Sequence, residues 1–127
     1  VAVANADIGT LAYLTNTKVR GKGKQTSKVS GQNGFIFEGN TVNGYNCGIS
    51  NQVPSNLTKG SASGICSAII FGNFADLIIG QWGSLDLMVD PYTGSTAGTV
   101  RVVALQDVDV AVRHAESFAA MKDALTV

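Results

Sequence analysis

The chain has 127 residues with no net formal charge; 45% are hydrophobic, only 14% are charged, and 15 are glycine. That length suits one domain with a real core, and the glycines favour turn-rich β structure over a helical bundle. Cys47 and Cys66, with no CxxC pair, exclude a disulfide scaffold and a zinc site, and no apolar run reaches the roughly 18 residues of a membrane span.

In chain order, the opening VAVANADIGT reads as loop and carries neither an initiator Met nor a charged-then-apolar leader, which suggests a fragment of a longer protein. The apolar run at residues 11–14 is followed by Thr15, Asn16 and Thr17, good helix N-cap residues, and KVRGKGKQ then offers one or two helical turns. Gly21 and Gly23 weaken that helix by about 1 kcal/mol each relative to alanine. Lys18, Arg20, Lys22, Lys24 and Lys28 form a basic run with no acid between Asp7 and Glu38, whereas seven of the nine acids lie after residue 70. Opposite patches on one chain suit a head-to-tail contact between copies, and a solvated basic helix is the equal alternative.

Residues 35–38 read as a strand, Gly39 and Asn40 as a hairpin turn, and residues 44–50 as the returning strand. The stretch NQVPSNLTKGSASG, residues 51–64, has no periodicity and reads as loop; its Asn56-Leu57-Thr58 matches a glycosylation sequon, a cheap pattern that nothing else in the chain supports. Residues 66–71 form an apolar strand, residues 73–79 a short helical turn closed by Gly80, and Trp82 stands between Gly80 and Gly83 as a gap filler. Residues 84–89 form a further strand, DPYTGSTAG a turn-rich linker, and residues 100–112 a long, half-alternating strand, after which the pattern fades beyond Phe118. The sum is an α+β fold, a mixed sheet with a few short helices, in which both cysteines behave as small buried hydrophobes with reduced thiols, of an intracellular type.

The marks of common enzymes are missing. His114 is the only histidine and no GxSxG elbow accompanies it, so a surface histidine beside Glu116 outweighs a catalytic one. Asp107 and Asp109 share a strand face and read as polar surface rather than as a metal or acid–base pair. RGKGKQTS lacks the GxxxxGK[ST] register, there is no GxGxxG, and the basic run has no interleaved aromatic for stacking bases. No catalytic residue, cofactor site or metal site is assigned.

The order FGNF-x-DLIIGQWG, DLMVDPYT and VRVVALQDVDVAVRH-x-E-SF resembles the C-terminal part of the major capsid proteins of tailed bacteriophages and prophages, the HK97-fold family; LAYLTNTKVRGKGKQ and YNCGISNQVPSN extend the resemblance over most of residues 7–120. It implies a structural subunit of an icosahedral shell, found in the virion and assembled in the bacterial cytoplasm. Its partners would be copies of itself in pentamers and hexamers, a scaffolding protein and, indirectly, packaged DNA, with no membrane. Residues 1–98 resemble the family's axial domain, and residues 99–127 a strand and tail returning from, or shared with, the peripheral domain, whose spine helix would precede this chain. Some relatives cross-link subunits through a lysine and an asparagine assisted by a glutamate; the corresponding GTVRVVALQ holds neither of the latter two, so no cross-linking is assigned. Composition, not a family motif, marks Lys18, Arg20, Lys22, Lys24, Pro54, Asn56, Pro91 and Tyr92 as candidate subunit contacts. The rival readings are a nucleic-acid-binding module on the Lys18–Lys28 run, which predicts salt-dependent binding, and a hydrolase in which His114 meets Asp107 or Asp109 in a pocket. Encapsulin shells share the capsid fold, and in this sequence only the phage-like stretch from Asp86 to His114 separates the two readings.

Overall fold

Short apolar and β-branched runs punctuated by glycine fold here as strands in two separate units. The computed structural model describes residues 1–126. One unit comprises Val1–Asp76 together with the chain from His114 onward, the other Leu77–Arg113. In chain order the elements are β1 (Leu11–Thr15), α1 (Thr17–Gly23), β2 (Phe37–Glu38), β3 (Thr41–Val42), β4 (Tyr45–Ile49), β5 (Leu57–Lys59), β6 (Ala62–Asn73), β7 (Leu77–Asp90), β8 (Arg101–Val112) and β9 (Phe118–Leu125). Single 3-10 turns stand at Ala2–Ala4, Phe74–Asp76, Ser95–Ala97 and Ala115–Ser117.

The first unit is a seven-stranded sheet in the order β2-β3-β4-β1-β6-β5, with β9 also paired to β6. Only β1 and β4 run parallel; every other pair in it is antiparallel. The expected mixed sheet is therefore present, with one α-helix. Tyr13, Cys47 and Phe71 are register partners across β1, β4 and β6 and so share a face. Tyr45 joins them, its ring centroid 5.3 Å from Phe71, and Tyr13 lies 4.5 Å from Phe71, spacings at which aromatic rings attract. Cys47 and Cys66 are both buried and free, as small apolar residues. Gly23 lets Phe37 close onto the helix, because a Cβ there would stand 3.2 Å from the Phe37 Cβ.

Several expectations are corrected by tertiary pairing. The return strand after Gly39 is split: Asn43 and Gly44, both at positive φ, turn the chain a second time between β3 and β4. The stretch 51–64 is not an unstructured loop, since β5 pairs with the extended start of β6. The helical turn expected to end at Gly80 stops at Asp76, because Leu77, Ile78 and Ile79 are recruited into β7 by pairing with Val112, Ala111 and Val110. The tail beyond Phe118 is strand β9, registered on β6 from Gly72↔Phe118 to Cys66↔Leu125. Alanine and lysine are poor strand formers, so only the β6 edge specifies it. Residues 98 and 99 lie in the loop joining β7 to β8.

Candidate functional site

The basic run and the loop that follows β4 meet in the first unit. Asn16 caps α1 by accepting from the Val19 amide at 3.0 Å and donates its own amide hydrogens to the carbonyls of Val53 (3.5 Å) and Pro54 (3.1 Å). Thr17 donates to Asn51 at 2.8 Å. These bonds bring Lys18 and Pro54 to one end of the helix, and Pro54 and Asn56 are exposed there. The 3.6-residue period puts Lys18 and Lys22 on one flank of α1 and Arg20 and Lys24 on the other. Lys28 is committed elsewhere, to Glu38 at 3.3 Å. The run is thus a helix with cations on two flanks, not one continuous stripe. Asn16, the residue that organises this end, was read from the sequence only as a cap.

Pro91 and Tyr92 lie at the tip of the β7–β8 hairpin. Tyr92 is 84% exposed, yet the loop beneath it is ordered by bonding. One Asp90 carboxylate oxygen accepts from the amides of Tyr92 (2.9 Å) and Thr93 (3.2 Å), and the other accepts from the Thr93 hydroxyl. Those bonds hold the Asp90 carboxyl below its ordinary value, the Thr93 side chain contributing most. Gly94 closes the loop, accepting from the Thr99 amide at 3.1 Å.

The two faces of this hairpin differ in kind. Partners opposite one another in an antiparallel pair point to the same side. Leu77 with Val112, Ile79 with Val110, Leu87 with Ala104 and Val89 with Val102 therefore form one face, on which no residue carries a charge. The opposite face holds Ile78, Trp82, Met88 and Leu105 together with Asp86, Asp107 and Asp109. A bulge between Trp82 and Asp86 inserts extra residues into β7 and bends the ribbon. It leaves a concavity of about 270 Å³ walled by Trp82, Asp86, Leu105 and Asp107. The indole lies over Gly80, whose Cβ would stand 3.0 Å from it, rather than in the gap expected, and Trp82 is 59% exposed. The sequence shows Asp107 and Asp109 two apart, but not the face they share with Asp86 and Trp82, since that depends on register.

The one histidine lines a cavity of about 340 Å³ in the first unit with Asn73, Asp76, Glu116 and Ser117. Asp76 is occupied structurally: Ser117 donates to it at 2.7 Å and Asn73 at 3.2 Å. Asn73 in turn accepts from Thr10 and Ala75 amides, so the cluster ties β1, β6 and the approach to β9 together. Neither Asp107 nor Asp109 is among that cavity's walls; Asp107 lines the hairpin concavity, and Asp109 accepts from the Val110 amide at 2.8 Å. Among the described residues, no group of three or more His, Cys, Asp or Glu side chains could hold a metal, and no helix is long and apolar enough to cross a membrane.

Exposed lysines stand on α1 and an exposed tyrosine at the hairpin tip. A model of the phage capsid family matches residues 4–123. The chain belongs to the phage capsid family. It is 34% identical over 118 residues to the major capsid protein of Halomonas phage phiHAP-1, a match covering 93% of this chain and 18% of that protein. Among solved structures it resembles a chain from the capsid of an empty GTA particle computed with C5 symmetry, with a TM-score of 0.64 and 19% identity. That likeness covers 91% of this chain and 38% of the other, so this chain spans well under half the length of both. At this identity the second likeness speaks for the fold alone, and it is a capsid fold.

Proposed function

We propose that this chain is part of a major capsid subunit whose work is structural: making contacts between copies in a phage or prophage shell. The observation that carries the reading is the family match running unbroken from residue 4 to residue 123. The hairpin supports it, because not one of its residues is buried and isolated two-stranded hairpins are marginal in water. Such a ribbon is stable in a setting where other chain covers it.

The sheet unit corresponds in this reading to the axial domain of the HK97 fold. The β7–β8 hairpin, rather than the chain after residue 98, goes with the peripheral domain as one piece, since its strands pair from Leu77↔Val112 to Asp90↔Arg101 and do not separate without losing that ladder. Candidate contacts are Lys18, Arg20, Lys22 and Lys24 on α1, Pro54 and Asn56 beside it, and Pro91 and Tyr92 at the hairpin tip. Partners would be further copies in pentamers and hexamers, with a scaffolding protein during assembly and packaged DNA inside, and the site of action would be the virion. The nucleic-acid-module reading has no support among the comparisons: the family match includes the whole basic run, and that run presents no single basic face.

The test is electron microscopy of the complete reading frame that encodes this chain, expressed alone and with its neighbouring genes. Closed shells, or five- and six-membered rings, are the expected outcome. A featureless monomer across salt and concentration, in both settings, overturns the proposal.

A further inference from the structure

We infer that the acidic face of the β7–β8 hairpin is a docking surface for the basic helix α1 of a second copy of this chain. The inference rests on the capsid reading and adds which surfaces meet. The argument begins with charge. Asp86, Asp107 and Asp109 stand on one face of the ribbon, exposed, beside exposed Ile78, Trp82, Met88 and Leu105. Arg101 is the one cation among the paired residues of this face, and it stands opposite Asp90, at the far end of the ladder.

Shape and chemistry then select the occupant. The bulge concavity sets two carboxylates beside an indole, an arrangement suited to an ammonium or guanidinium group, which gains from the carboxylates and from the ring face together. The acids are spread along about 14 Å of strand. On α1 and its C-cap, Lys18 and Lys24 stand about 9 Å apart along the helix axis and about a third of a turn apart around it, and their flexible stems let both reach one side. Both are exposed. The chain therefore carries both halves of a complementary pair at different places on its surface. Such a pair, repeated between copies, is a heterologous contact that closes into rings, and its charges set the register of docking.

Charge exchange in the complete reading frame tests this. One variant carries Lys18→Glu with Lys24→Glu, the other Asp86→Lys with Asp107→Lys; all four side chains are exposed, and circular dichroism checks that each variant folds. Each alone is expected to lower the yield of sedimenting shells about tenfold, through like-charge repulsion. Combining all four substitutions in one chain is expected to restore the yield, because every reversed helix then meets a reversed face, in rings of five as well as of six. A neutral pair, Asp86→Asn with Asp107→Asn, keeps the shape of the face and is expected to weaken assembly less and to flatten its salt dependence. Single variants that assemble normally overturn the inference while leaving the capsid reading intact. Failure of the combined variant to rescue also overturns it, since the charges then do not meet between copies. Loss of DNA retention with normal shell yield assigns the basic helix to nucleic acid instead. If the unaltered protein forms no shells, the capsid reading falls and takes this inference with it.

Discussion

The two units show two ways for a β structure to be held. In the sheet unit, Phe37, Cys47, Val53, Cys66 and Ala68 form a buried core, and buried polar residues are bonded in place: Thr15 donates to the Ala68 carbonyl at 2.9 Å, and Ser67 and Thr126 share a hydrogen bond of 2.7 Å. In the hairpin, eleven register pairs join β7 to β8 and no side chain is buried. Backbone pairing alone nets little, because water competes for the same groups. A long ribbon with one face free of charge is thus held by strand pairing rather than by a core.

The largest expected effect separates the units directly. In this chain studied alone, amide hydrogens of β6 should exchange at least about 1000-fold more slowly than those of β7 and β8, since the core strands open only with global unfolding and the ribbon opens locally. Within the assembled particle that gap should narrow to near nothing. Equal protection in the isolated chain would end the comparison.

Next in size is a substitution confined to the sheet unit. Gly72 pairs with Phe118, and a Cβ there would stand 2.4 Å from the Phe118 ring and 2.5 Å from the Ser117 carbonyl oxygen. The ring can swing away; the backbone oxygen cannot. Gly72→Ala should cost about 3 kcal/mol of stability, at the upper end for overpacking, read as a lower urea midpoint with an unchanged slope. The same change should leave the chemical shifts of the hairpin tip where they were.

Alkaline pH should also weaken the sheet selectively. Burial pushes up the Cys47 thiol, and burial, then the neighbouring Tyr45 and Cys47, push up the Tyr13 hydroxyl. A group whose folded pKa lies above its unfolded value holds its proton better in the native state, so its stabilisation is complete below the unfolded value and lost as pH rises through the folded one. Urea midpoints should therefore fall from about pH 8.5 upward. Cys47→Ala should reduce the steepness of that fall, and an unchanged slope would assign it to Tyr13 or to other groups.

The contrast between the units also explains what could be read in the sequence. Strands that carry their own apolar or β-branched signal, such as the middle of β6, the end of β7, and β8, were legible, as was the cap of α1 among Thr15, Asn16 and Thr17. What escaped was set by partners distant in the chain. β9 reads as a fading tail because its alanines have no strand preference of their own, and it exists through β6. Residues 77–79 mimic a helical turn because Leu and Ile suit either period, and the competing ladder with residues 110–112 decides between them. The acidic face escaped for a related reason. Asp107 and Asp109 are visibly two apart, but only the register and the bulge in β7 bring Asp86 and Trp82 alongside. The candidate contacts drawn from composition are spread over both units; which of them touch a neighbour is a question of assembly that no single chain encodes locally.

The smallest expected effect belongs to the hairpin and sharpens the comparison from the acid side. Asp90 has its carboxyl held below the ordinary range by the Thr93 hydroxyl and the Tyr92 and Thr93 amides. A depressed pKa gives stabilisation that is present above the unfolded value and lost as pH falls through the folded one. The tip should therefore loosen only below about pH 4, at the opposite end of the scale from the sheet. Amide resonances of Tyr92 and Thr93 should move in an acid titration, while those of β6 stay fixed. Asp90→Ala should shift these two resonances at neutral pH and abolish their acid titration. Because the group is open to solvent, global stability should barely change, and a clear fall would mean that the tip supports more of the ribbon than its own loop. If the shifts persist in Asp90→Ala, another acid governs the tip and the ordering of Tyr92 must come from the Gly94–Thr99 closure instead.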